Sequence, residues 1–330
     1  MAHQTYEGKK RSLSAETARL HRQKGEAYLE EHKHSEALKE FDEAVQIEPE
    51  NADNHGLRAR ALAVLCMHSE AQEACGKAIS INESCYHTYH ALGNVYDHLD
   101  DYDKSIDCFS KTIESAPTFA RAYYNRGRVL SKQGKTDEGL RDFNQAIELS
   151  PSFADVYYSR GHVFKEQGKF KEALRDFDKA IEMCGSASAY IARANLCLND
   201  PMVVYRNVID DYSKAIELND NLPDAHYYRG ILYARMGEYE KALTDFTKAI
   251  ELYPNFCGTH YYRANVLVEL GNPQEALVEY GRAIELDPGF AGAFHKRGAL
   301  YESLKERDKA LCDYDKAVEL DEYDRGYYRA

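Results

Sequence analysis

The sequence predicts an all-α fold, a solenoid of antiparallel helix hairpins. Three observations predict it. A short segment recurs along the chain: YYNRG at 123–127, YYSRG at 157–161, YYRG at 227–230 and YYRA at 261–264. The apolar residues between these segments fall on one helical face. Glycine and proline stand at the ends of those faces, where helices turn and stop.

The recurrence extends well beyond five residues. Twelve positions after Gly127 comes Gly139, followed by Phe143, Ala146 and Pro151. The same offsets from Gly230 give Ala242, Phe246, Ala249 and Pro254, and from Gly25 they give Ala37, Phe41, Ala44 and Pro49. The period is about 34 residues. Nine copies follow in order: 18–51, 52–85, 86–119, 120–153, 154–186, 187–222, 223–256, 257–290 and 291–324. Copy five is one residue short and copy six two residues long. In ALRDFDKAIEM, Ala173, Leu174, Phe177, Ala180 and Ile181 lie on one face of a helix. Pro151, Pro254 and Pro288 end such runs, and the glycines of EQGKF and RMGEY mark turns between two helices. One hairpin cannot bury its apolar face alone, so the copies must stack.

This pattern of small and aromatic anchors resembles the tetratricopeptide repeat, a helix–turn–helix unit. The resemblance covers nearly everything after residue 17. It implies a continuous right-handed superhelix, and a concave groove lined by the first helix of each copy. The expected organisation is a flexible basic arm at 1–17, a nine-repeat solenoid at 18–324 with an irregular sixth repeat at 187–222, and a tail at 325–330.

An arginine precedes the small residue at Arg126, Arg160, Arg193, Arg229, Arg263 and Arg297. An acid follows in the second helix of the same copies: Asp142, Asp176, Asp211, Asp245, Glu279 and Asp313. Copy one has Lys24 with Glu40, and copy three has Leu92 with Cys108, so charge appears with charge and apolar with apolar. An ion pair inside each hairpin is expected, because a partly buried arginine needs a partner. Only copy two departs, with Arg58 facing Ala74.

The tyrosines divide in two. Tyr89, Tyr123, Tyr157 and Tyr190 hold the first aromatic place, where the family packs a large ring between helices; His55, His226, His260 and Phe294 hold it elsewhere. Tyr124, Tyr158, Tyr227 and Tyr261 hold the second place, on the side that lines the groove in this family. Asn125, Arg128, His162, Tyr228, Tyr262 and Asn265 share that side at helical spacing. Tyrosine is large, rigid and amphipathic and suits an interface. These ten residues are the candidate partner-binding set, although a tyrosine ladder also packs repeat on repeat.

Other chemistries find little support. The chaperone-binding carboxylate clamp of some relatives needs basic residues where this chain has His90, Asp155 and Ser159, with only Asn94 and Asn125 matching. The asparagine ladder of the sugar-transferring relatives is represented by Asn125 alone. Cys85, His87 and His90 do not share a helical face, and His32 and His34 read as solvated turn residues. No nucleophile-elbow, zinc-protease or phosphate-loop motif occurs, so no catalysis, cofactor or metal is expected.

The net charge of -13 disfavours nucleic acid and anionic membrane and favours a basic protein or peptide partner. No apolar run is long enough to span a bilayer, and no secretory leader is visible. Eight dispersed cysteines are expected as reduced thiols, and the protein as cytoplasmic. Pro201 and the apolar Met202, Val203, Val204 and Tyr205 disturb copy six, either as a self-packed tip or as a docking knob. At the C-terminal end, Leu311, Tyr314, Ala317 and Val318 are expected to leave an apolar face partly open, to a partner or to a second copy of the chain. Two functions follow from these readings. One is a non-catalytic scaffold holding an extended partner segment in the groove. The other is a component of a cytoskeletal or ciliary assembly, docked through its outer surface and open end.

Overall fold

The computed structural model describes the backbone of residues 2–198 and 205–327, and the side chains of 14–198 and 207–320. Among the described residues eighteen helices follow one another and there is no strand. They pair as hairpins. The first five pairs are α1 (Ala2–Glu30) with α2 (His34–Ile47), α3 (Ala52–Val64) with α4 (His68–Ile81), α5 (Tyr86–His98) with α6 (Tyr102–Ser115), α7 (Ala120–Lys132) with α8 (Thr136–Leu149), and α9 (Ala154–Glu166) with α10 (Phe170–Cys184). The other four are α11 (Ala187–Cys197) with α12 (Tyr205–Leu218), α13 (Pro223–Arg235) with α14 (Tyr239–Leu252), α15 (Cys257–Glu269) with α16 (Pro273–Leu286), and α17 (Ala291–Ser303) with α18 (Arg307–Tyr327). Each hairpin is one of the nine predicted repeats.

Two compact units divide the chain, Met1–Lys179 and Ala180–Ala330, with the boundary inside α10. Within the first, α2 packs on α3, α4 on α5, α6 on α7 and α8 on α9, and α3 also lies along α5. Within the second, α12 packs on α13, α14 on α15 and α16 on α17. The core is correspondingly a string of small clusters. Phe41 gathers Ala37, Leu57 and Ala61 around it, and Phe246 gathers Ile231, Ala242 and Val266.

The small residue of the repeat is explained by the ring that lies on it. A Cβ on Gly161 would sit 2.7 Å from Phe177, and one on Gly230 2.8 Å from Phe246. In repeats six and eight, where the small residue is alanine, the ring is a tyrosine, Tyr212 or Tyr280; in repeat two, Ala59 faces Cys75 instead of a ring. The two tyrosine hydroxyls donate to Asn195 (2.5 Å) and Asn265 (2.6 Å). The hairpin turns close by a helix-ending motif in which one residue is left-handed. That residue is glycine at Gly134, Gly168, Gly237 and Gly271, but His32, Cys66, Asp100 and Lys305 in four other repeats. Pro223 and Pro273 open α13 and α16, where a missing N–H costs nothing.

The ion pairs are present as expected. Arg126 grips Asp142 with Nε and Nη2, both at 2.8 Å, and Arg160 grips Asp176 at 2.7 Å through both. Arg193–Asp211, Arg229–Asp245 and Arg297–Asp313 repeat this fork, and Arg263 pairs with Glu279. Lys24 with Glu40 is the equivalent in repeat one. Repeat two differs from the sequence reading: Arg58 is paired after all, to Asp42 of the preceding repeat at 2.6 Å. The backward reach recurs, since Nη1 of Arg126 donates to Ser110, that of Arg160 to Asn144 and that of Arg229 to Ser213. These arginines therefore tie the second helices of consecutive repeats. Three of the four first-place tyrosines lie against the same guanidinium, at 5.9 Å for Tyr123, 5.8 Å for Tyr157 and 5.9 Å for Tyr190.

The ends are longer in helix than the sequence reading allows. Residues 2–17, expected as a flexible arm, are the first turns of α1. Once α2 anchors the later turns, the proline-free AHQTYEGKKRSLSAET is free to propagate a helix already nucleated. The tail expected to start at 325 is likewise helical as far as Tyr327. The apolar run at 201–204 in copy six lies outside the described residues.

Candidate functional site

In the first unit the ten-residue set contributes Tyr124, Asn125, Arg128, Tyr158 and His162. Two of them are taken up by the preceding repeat. Asn125 is buried, and its Nδ2 donates to Nε2 of His90 (3.0 Å) and to Oδ1 of Asn94 (3.1 Å). Arg128 donates to the buried carboxylate of Asp97 at 3.2 Å, alongside Lys132 at 2.6 Å. Tyr124 is half-buried, edge-on to Phe153 at 4.9 Å, with the Arg128 guanidinium 5.7 Å from its ring. Tyr158 and His162 meet edge to face at 4.6 Å over Phe177. Burial raises the Tyr158 hydroxyl pKa and lowers that of His162, so both are neutral near pH 7. Nε2 of His162 is shut off from solvent without a partner.

In the second unit the aromatic residues form a continuous layer. Tyr227 meets Phe256 at 5.1 Å, Tyr228 at 5.1 Å and Tyr262 at 5.8 Å. Tyr262 also stacks on Phe246, and Tyr261 packs on Phe290 at 4.9 Å. Burial pushes the Tyr227 hydroxyl well above its ordinary pKa. Of this layer Tyr262 reaches an open cleft of about 450 Å³, whose other aromatic lining is Tyr239 and Tyr280. Tyr262 and Asn265 of α15 line it, with Ile231 and Arg235 of α13 and Lys296 and Ser303 of α17. Glu269 and Val268 complete the α15 side. A second cleft, bounded by α15, α17 and α18, is lined by Tyr261, His295, Lys296, Tyr314 and Val318.

Sequence reasoning found positions in the second and third turns of α13 and α15, none in α17, and stopped there. Arg235, Glu269 and Ser303 stand one turn beyond the positions of Arg128 and Asn265 in the repeat. The helical spacing that selected Tyr262 and Asn265 reaches Glu269 with one more step. At the C-terminal end, Leu311 and Val318 are exposed, whereas Ala317 is buried and Tyr314 donates to Glu302.

Cys85, His87 and His90 are packing residues. His90 lies between Phe109 and Phe119, and burial drives its pKa far down; burial likewise pushes His87 to about 4. Among the described residues no helix is long and apolar enough to cross a membrane.

Comparison with known proteins matches this geometry. Profiles described as tetratricopeptide repeat match residues 86–119, 108–141, 154–186, 223–256, 246–278 and 291–324. A profile described as TPR repeat matches 127–168, 207–237 and 264–305. Among curated proteins the chain is similar to Protein O-mannosyl-transferase TMTC1 of Homo sapiens, 26% identical over 93 residues. That stretch is 28% of this chain and 10% of the relative, so the chain spans about a tenth of that protein's length. Among solved structures it is similar to YrrB, described as a TPR protein with an unusual peptide-binding site (TM-score 0.52, 25% identity, 57% of this chain and 97% of that one). The APC/C hetero-tetramer Cut9-Hcn1 gives TM-score 0.59 at 15% identity, over 82% of this chain and 53% of that one. Pseudomonas aeruginosa pilF gives 0.55 at 16% identity, over 68% and 98%. Nine hairpins, their shared anchors and these matches agree: the chain belongs to the tetratricopeptide repeat family.

Proposed function

We propose that this protein is a non-catalytic scaffold that holds an extended segment of a partner protein in the tyrosine-lined cleft of residues 231–303. The observation that carries this reading is the cleft itself. It is open, draws its lining from three first helices, is mostly apolar, and includes the charged Arg235, Glu269 and Lys296. An aromatic lining with a few polar groups suits a peptide whose side chains alternate between anchoring and solvent. The likeness to YrrB, described as having a peptide-binding site, supports it. The net charge of -13 favours a basic partner through long-range attraction.

The test is affinity capture from native extract with the wild-type chain beside Val268→Ala/Glu269→Ala/Lys296→Ala. These three side chains are exposed, so the variant keeps its fold, which circular dichroism verifies. Partners lost by the variant alone place binding in the cleft. Identical partner sets reject the cleft. That outcome favours the second reading, an assembly component of a cytoskeletal or ciliary complex docked through its C-terminal end, to which the exposed Leu311 and Val318 point.

A further inference from the structure

Three metal-ligating side chains converge at one edge of the first unit. Cys66 lies in the turn between α3 and α4, His68 is the first residue of α4, and His98 is the last of α5. One ligand atom from each lies within 4.8 Å of both others. The His68 and His98 rings have centroids 5.4 Å apart, tilted by 47°. Cys66 and His98 are exposed and His68 half-buried, so a hydrated ion reaches all three without opening the fold.

Two further features bear on this cluster, although His32, Asp100 and Lys305 hold the same left-handed place in other repeats and His34 shares an unpartnered Nδ1. Cys66 occupies the left-handed position of its turn, with φ of 60°, where four other repeats use glycine. A thiol is therefore held at a place that disfavours any side chain. Nδ1 of His68 is closed off from solvent and has no hydrogen-bond partner. Repeat one carries His32 and His34 at the same two places, their rings 5.9 Å apart, but without a thiol.

We propose that Cys66, His68 and His98 form a binding site for Zn²⁺. One thiolate and two imidazoles suit a borderline-soft cation and exclude Mg²⁺ and Ca²⁺, which take oxygen. On binding, the Cys66 S–H bond releases its proton to water and the sulfur lone pair bonds the ion. Each imidazole gives one nitrogen lone pair, a water fills the fourth position, and no electron is transferred. Zinc bonds of about 2.3 Å to sulfur and about 2.0 Å to nitrogen require the ligand atoms to close to roughly 3.3–3.7 Å from one another. Rotation of the exposed Cys66 and His98 side chains supplies that closure. The ion would clamp the turn of repeat two to the first helix of repeat three.

The test is Co²⁺ titration of the reduced, metal-stripped full chain. The expected result is one equivalent bound, with a sulfur-to-cobalt charge-transfer band and tetrahedral visible bands. One equivalent of Zn²⁺ should bleach them, and excess Mg²⁺ should not. Cys66→Gly removes the thiol while relieving the left-handed backbone, so it folds; it should lose the charge-transfer band and the zinc-dependent rise in Tm. His98→Gln should weaken Co²⁺ binding roughly tenfold or more. A wild-type chain without the band overturns the proposal. So does a band that survives Cys66→Gly, which would place the thiolate ligand at another cysteine.

Discussion

Replacing Arg126 by methionine removes the guanidinium but keeps the stem. The perturbation strands the Asp142 carboxylate, whose side chain is 10% exposed and which takes both forks of the arginine at 2.8 Å. Deleting one member of a fully buried pair costs about 3–5 kcal/mol. Arg126 keeps 24% of its side chain in solvent, so water partly replaces it, and the loss falls to about 2–3 kcal/mol. Equilibrium unfolding of a repeat array is not two-state, so the readout is local: hydrogen exchange of peptides from α7 and α8, followed by mass spectrometry. Protection there should fall roughly 30- to 150-fold. Arg126→Met with Asp142→Leu should return to within about 1 kcal/mol of wild type, because two apolar side chains leave no buried charge. A double variant no better protected than Arg126→Met would refute the pairing argument.

Gly230→Ala should lower stability by about 1–3 kcal/mol, since its Cβ would press on the buried Phe246 ring. Gly281→Ala, in the middle of α16 and 3.8 Å from the nearest neighbouring atom, should instead raise it by about 0.5–1 kcal/mol; thermal denaturation of the two distinguishes packing from helix propensity. For Glu279, burial raises the carboxyl pKa, but hydrogen bonds from His260 and Arg263 outweigh it and hold the group below 4.5. Its contribution is therefore present above the unfolded value and disappears as pH falls through the lowered one, so Glu279→Gln should flatten the acid limb of a Tm–pH profile. Burial pushes the Cys75 thiol up to about 12, so alkylation at pH 8 should spare it while the exposed Cys184 and Cys312 react, as peptide mapping would reveal.

The hairpins and the ion ladder were legible because the chain contains nine versions of one experiment. Offsets fixed within a repeat, such as Arg126 to Asp142, reappear often enough to be read as contacts. What escaped were contacts that cross repeats. Arg58 looked unpartnered because its acid, Asp42, precedes it in the chain rather than following it. Asn125 looked like a groove residue, yet its partners His90 and Asn94 belong to the repeat before. The cleft was half legible: Tyr262 and Asn265 follow from helical spacing, but whether α13, α15 and α17 leave space between them depends on side-chain volumes that no single repeat records. The helical extent of both ends was missed because propagation from a packed segment needs no apolar pattern of its own.

Arg58, Arg126, Arg160 and Arg229 each grip a second helix of the preceding repeat as well as, in three cases, their own. Part of the stability thus resides in junctions, as in a one-dimensional chain of coupled spins. The junctions differ in kind, for repeat three has Leu92 and Cys108 at the places where others hold ions. Salt screens charge pairs and strengthens apolar burial. Ionic strength would therefore do more than scale the stability of the array. It would change the order in which neighbouring repeats fray, making the solvent a selector of which stretch opens first.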